Sequence, residues 1–178
     1  MDKLIKPSYI LFVIFTLAIF FFAGFLFIIR NAQVEPEKDS SPPISTEEPV
    51  RVKVFFGNTQ LEIDPQFDCR SVFSVEREVS AQNDVPRAAL EELLKGLTPE
   101  EKAQGYGTSI NSGVTIQRII IENGTARVDF DEMLEYRIGG SCWVAAIRAQ
   151  ITKTLTQFPG IESVIISING RTEDILQP

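Results

Sequence analysis

VTIQRIIIENGTARVDF, running from Val114 to Phe130, is two strand patterns joined by Asn123-Gly124. That dipeptide is the preferred occupant of a two-residue type I′ turn, in which both central residues take positive φ. The turn sets the register: Glu122 falls opposite Thr125, Ile121 opposite Ala126, Ile120 opposite Arg127, Ile119 opposite Val128 and Arg118 opposite Asp129. Side chains alternate across a strand, so Ile119, Ile121, Ala126, Val128 and Phe130 form a core face. The opposite face carries the Arg118 to Asp129 pair, and also Val114, Ile116 and Ile120, more apolar residues than a solvated face requires. Exposed apolar patches mark interaction sites, which makes Val114, Ile116 and Ile120 a candidate interface. The competing reading is that strands from elsewhere in the domain cover them.

Downstream, Gly139-Gly140 breaks the chain and Ser141 is placed to cap a helix over Cys142 to Phe158. Its apolar stripe is Val144, Ile147, Ile151, Leu155 and Phe158, with Arg148, Lys153 and Gln157 pointing away. Pro159-Gly160 ends it, and Val164, Ile166 and Ile168 alternate with serines in a last strand before Asn169-Gly170. Upstream, Asn83 or Asp84 caps a helix with Pro86 in its first turn and an apolar stripe from Val85 to Leu97. Thr98-Pro99-Glu100-Glu101 spells a capping box, and Gly105 to Gly113 reads as loop. Val50 to Phe56 and Phe73 to Val79 alternate as strands, with Cys69 at the entry to the second. The expected fold is therefore α+β: a single small domain with a helix, hairpin, helix, strand (αββαβ) core plus N-terminal strands.

Far upstream, Ile10 to Ile29 (ILFVIFTLAIFFFAGFLFII) is uncharged over the roughly 20 residues that span a bilayer, so one transmembrane helix is expected. Lys3 and Lys6 precede it and Arg30 follows, a bias that places the N-terminus inside and the C-terminal domain outside the cytoplasm. Residues 31–49 are rich in Pro, Ser and acids and cannot form a core. The expected organisation is a cytoplasmic N-terminus 1–9, a transmembrane helix 10–29, a disordered linker 30–49 and a folded domain 50–178.

The chain has 178 residues, a formal charge of −7 and no histidine. Lacking histidine, it excludes Ser-His and Cys-His hydrolases; being acidic with no basic run, it is a poor nucleic-acid binder. The two cysteines, Cys69 and Cys142, lie far apart and outside any CxxC spacing. An extracytoplasmic location favours a disulfide between them; two buried free thiols are the alternative.

The residues VFF at Val54 to Phe56, LLKG at Leu93 to Gly96, GVTIQRIIIENGTARVDF at Gly113 to Phe130 and QFPGIESVIISING at Gln157 to Gly170 together resemble a GerMN domain, the module of sporulation and spore-germination proteins. The similarity spans nearly all of Val50 to Gly170, in a single copy behind an N-terminal membrane anchor. It implies an envelope-facing, non-enzymatic α+β module similar to the ring-building motifs of trans-envelope complexes.

Other clusters are weighed against plainer roles. Asp129, Asp131, Glu132 and Glu135 bring four carboxylates together, yet their spacing matches no calcium loop, and an Asp129 pair with Arg118 and an Asp131 cap on the turn to Tyr136 explain them better. Gly105-Tyr106-Gly107-Thr108-Ser109 neither follows a strand nor opens a helix with a lysine, so it is no phosphate cradle. Asn123-Gly124-Thr125 matches a glycosylation acceptor, but the turn already accounts for Asn and Gly. Arg77 and Arg87 fit solvated faces better than an anion site. Trp143 is expected to pack near the cysteines, with an exposed glycan platform as the sharper alternative. The sequence thus points to no enzyme, metal or cofactor. It points to assembly with an envelope protein or with itself, with a cell-wall glycan or peptide as the alternative partner.

Overall fold

The computed structural model describes residues 48–62, 68–80 and 84–177. They lie within one compact unit, Thr46–Pro178. The expected N-terminus 1–9, the transmembrane helix 10–29 and all but the last two residues of the linker 30–49 fall outside the described residues. Among the described residues no helix is long and apolar enough to cross a membrane.

The hairpin forms as its turn demands. Strands β4 (Ile116–Glu122) and β5 (Thr125–Phe130) pair antiparallel in the expected register from Glu122 opposite Thr125 to Arg118 opposite Asp129. Asn123 and Gly124 take φ of 49° and 75°, the positive pair a type I′ turn needs. Strand β6 (Ser163–Ile168) lies parallel to β5, so this sheet runs β4-β5-β6. A parallel neighbour requires a crossover, and helix α3 (Ser141–Leu155) supplies it.

A second sheet runs β2-β1-β3, built from β1 (Val50–Asn58), β2 (Phe73–Val79) and β3 (Tyr106–Gly107). The two-residue β3 lies in the stretch expected to be loop; it pairs Gly107 with Gly57 and Tyr106 with Asn58. Helix α1 (Val85–Lys95) is capped by Asp84, whose side chain accepts the Arg87 N–H. The short α2 (Pro99–Ala103) carries the full reciprocal capping box between Thr98 and Glu101. Helix α3 begins one residue earlier than expected: Gly140 is its N-cap, and Ser141 makes no capping bond.

One core joins both sheets. Val54 and Phe56 of β1, Leu90 and Leu93 of α1, Val128 and Phe130 of β5, Ile147, Ile151 and Leu155 of α3, and Ile166 and Ile168 of β6 are all buried in it. Helix α3 packs against β1, α1 and β6, so it is the element that holds the two sheets to a common interior. The chain beyond β6 returns to that interior, burying Ile175 and Leu176.

The free edge of β1 is closed by side chains rather than by a strand. Gln157, expected to point away, accepts the Lys53 N–H at 2.8 Å and donates to the Lys53 C=O at 2.6 Å, and Thr154 accepts the Phe55 N–H at 3.2 Å. The carboxamide of Gln157 has the donor and acceptor of a peptide unit, which lets it stand in for a strand there.

Candidate interaction surfaces

The outer hairpin face differs from its sequence reading at one residue. The pairing jumps from Arg118 opposite Asp129 to Ile116 opposite Phe130, leaving Gln117 as a β-bulge. An extra residue reverses the parity of everything before it, so Ile116 shares the inner face with Phe130. Val114 is only 6% exposed and belongs to the core, and Ile116 packs against that core. The proposed grouping of Val114, Ile116 and Ile120 on one outer face is therefore corrected: the bulge takes the first two inward and leaves Ile120.

Beyond the bulge the outer face follows the registers. It carries Arg118, Ile120 and Glu122 on β4, Thr125, Arg127 and Asp129 on β5, and Ser163, Ile165 and Ser167 on β6. Ile120 and Ile165 are half-buried, lie across Arg127 from one another and stand outside the core. Ile121, assigned to the core, is 38% exposed, one pair from the turn on an edge strand.

The carboxylates downstream of β5 are engaged one by one. Asp129 accepts from Ser167 Oγ at 2.7 Å and the Gly170 N–H at 2.8 Å, so it secures the turn after β6 rather than pairing with Arg118. Asp131 accepts from the Thr115 and Met133 N–H groups and caps the turn Glu132–Leu134. Glu132 accepts from Asn169 Nδ2 at 3.2 Å, and Glu135 binds Arg171 and the Leu176 N–H. Among the described residues no three His, Cys, Asp or Glu side chains converge to hold a metal ion.

Cys69 and Cys142 are joined by a disulfide that spans 73 residues, with Cα atoms 5.1 Å apart. It forms one wall of a cleft of about 390 Å³, lined also by Gly57, Asn58, Thr108, Trp143 and Gln150. Trp143 does not pack inside: it is 48% exposed, and its indole N–H donates to the Ser109 C=O at 2.6 Å. Gln150, buried on α3, accepts from Thr108 Oγ1 at 2.9 Å and ties the cleft floor to the helix.

The family described as Germane, sporulation and spore germination, matches residues 53–174. The chain belongs to the Germane family. Among solved structures it is similar to the tandem GerMN domains of the sporulation protein GerM from Bacillus subtilis, with a TM-score of 0.51 and 23% identity. That match covers 70% of this chain but only 40% of the tandem protein, so this chain spans less than half the length of its relative. The first GerMN domain of the same protein aligns with a TM-score of 0.48 and 22% identity, over 69% of this chain and 85% of that one. At these identities the likeness is one of fold. No curated protein matches the chain.

Within the Germane domain the two arginines serve the fold. Arg77 sits among the inward residues of β2 and donates to both Glu101 oxygens and to the Gly96 C=O. These bonds hold the Glu101 carboxyl below the usual range, chiefly through Arg77 and secondarily through the Thr98 N–H, against burial that pushes it up. The Arg77 guanidinium is correspondingly raised by Glu101. Arg87 pairs with Glu91 one helical turn on and donates to the Ile116 C=O at 3.3 Å, beside the bulge.

Proposed function

We propose that the protein is a membrane-tethered, non-enzymatic module of the cell envelope, with its Germane domain outside the cytoplasm, that assembles with another envelope protein or with copies of itself. The apolar run Ile10 to Ile29 and the flanking lysines support the tether and its orientation. The observation that carries the assembly reading is the outer face of β4-β5-β6. There Ile120 and Ile165 flank Arg127 outside the core, an apolar and cationic pairing of the kind that anchors interfaces. The test is a photo-crosslinking residue at Ile120 in the full-length protein in intact cells. Capture of one dominant protein supports the reading, and its loss in an Arg127→Glu variant with unchanged melting places the contact on this face. Labelling that spreads over many proteins, with no dominant adduct, overturns it.

A second reading rests on Trp143, a half-exposed indole held by its bond to Ser109 at the mouth of the disulfide cleft. A fixed aromatic face beside neutral hydroxyls and amides suits a cell-wall glycan. Retention of the domain on isolated wall, lost on Trp143→Ala, supports that alternative.

A further inference from the structure

We propose that β6 pairs antiparallel with β6 of a second copy of this chain, about a two-fold axis at Ile165. The proposal deepens the assembly reading by naming the partner, and rests on it. Sheet edges invite other strands, and folded proteins blunt them with charge, bulges, brevity or cover. Most edges here are blunted. The edge at β4 carries the Gln117 bulge with Arg118 and Glu122; β2 carries Glu76, Arg77 and Glu78. Gln157 and Thr154 cover β1, and β3 is two residues long. The last edge, Ser163-Val164-Ile165-Ile166-Ser167-Ile168, holds no charge, no proline and no bulge, and among the described residues no strand pairs along it.

Its backbone fixes what can bind. Ile168 exchanges both hydrogen bonds with Arg171, at 2.9 and 3.0 Å, on the side away from β5. Ser163 and Asn169 donate to Gly124 and Phe130 on the β5 side. The N–H and C=O of one residue point to the same edge and alternate along a strand, so the outward groups are those of Val164 and Ile166. A two-fold axis at Ile165 sets Val164 of each copy opposite Ile166 of the other. All four outward groups of each strand are then satisfied, and the Asn169-Gly170 turn closes the end. Ser163 faces Ser167, Val164 faces Ile166, and no like charges meet within the strand. The result is a six-stranded sheet whose new outer edges are both β4, already blunted by the bulge. Pairing therefore stops at two copies.

Both native cysteines are bonded to each other, so an introduced cysteine is the single free thiol. Across the axis the two copies of residue 165 form a non-hydrogen-bonded pair with Cα atoms about 4.5 Å apart, within disulfide reach. In the full-length protein in detergent, Ile165→Cys oxidises to a covalent dimer at least tenfold faster than Ser74→Cys on β2. Ile165→Lys, which sets two ammonium groups face to face on the solvent side, raises the dimer Kd at least tenfold. Crosslinking of Ile165→Cys no faster than that of Ser74→Cys overturns the proposal, as does a dimer indifferent to Ile165→Lys. If Ile120 captures a different protein in cells while residue 165 stays uncrosslinked, the pairing fails and the assembly reading stands. If residue 165 crosslinks and Ile120 captures nothing, the pairing stands and the heterologous contact fails.

Discussion

Arg77 on the inner face of β2 grips Glu101 in the first turn of α2 through both terminal guanidinium nitrogens, Nη2 to Oε2 at 2.8 Å. The same carboxylate accepts the Thr98 N–H at 2.9 Å, so one side chain closes the capping box and neutralises an inward charge. The two side chains are only 15% and 10% exposed. Replacing Glu101 by Gln keeps the cap acceptor but leaves the guanidinium without its counter-charge. We expect a loss of about 3 kcal/mol, read as a lower urea midpoint with unchanged slope.

Glu101 also sets an acid limit. Its folded pKa lies below the ordinary glutamate value of 4.5, so below that value the unfolded chain binds more protons than the folded one. The contribution is complete above about pH 5 and is lost as pH falls through the depressed folded value. Melting temperature followed from pH 6 to pH 3 should drop in the native chain, and the drop should be shallower in Glu101→Gln. Equal slopes in both would assign the acid sensitivity elsewhere.

The disulfide closes a loop set by its sequence separation of 73. Chain entropy assigns such a crosslink about 4 kcal/mol. A Cys69→Ser, Cys142→Ser double variant should lose about that much in urea melts, and the native protein should lose the same on reduction. A loss under about 1 kcal/mol would mean the unfolded chain is already restricted there.

Gln157 bonds the Lys53 backbone twice. Gln157→Leu should cost about 1 kcal/mol, since the exposed polar groups of Lys53 exchange both partners for water. Amide exchange is the direct measurement: Lys53 should lose protection first, with α3 otherwise unchanged.

The bulge can be removed outright. Deleting Gln117 removes the extra residue and leaves simple alternation, with Ile116 still opposite Phe130 and both Ile116 and Val114 still inward. The expected cost is therefore small, about 1 kcal/mol or less, with no new binding of a hydrophobic dye. A loss of about 3 kcal/mol or more would show that the bulge itself is needed to seat Val114 in the core.

Much of this fold was legible because its signals are local. Asn123-Gly124 dictated the turn and register, Thr98 to Glu101 the capping box, and Asp84 with Pro86 the start of α1. The bulge was not legible, because β4 is apolar at both parities: Ile116 and Ile120 argue for one face, Ile119 and Ile121 for the other. Only the tertiary packing of Val114 decides between them. Gln150, Thr154 and Gln157 were missed for a related reason. A helical wheel assigns polar residues to water, whereas here they meet the backbone and side chains of β1 and the cleft. Arg77 did leave a trace: it falls in step with Phe73, Val75 and Val79, and a charge in phase with a core stripe asks for a buried counter-ion.

The two-sided hold on β1 has a mechanical meaning. The strand begins at Val50, so a pull transmitted from the preceding residues enters the domain there. It meets β2 paired along Val50 to Phe56 on one edge, and Gln157 and Thr154 on the other. Tension along the strand therefore loads these bonds together, in shear, rather than opening them singly like a zip. The strand where the preceding chain enters is thus built as a clamp, and tension on it is borne by α3 and the shared core before the first strand can peel away.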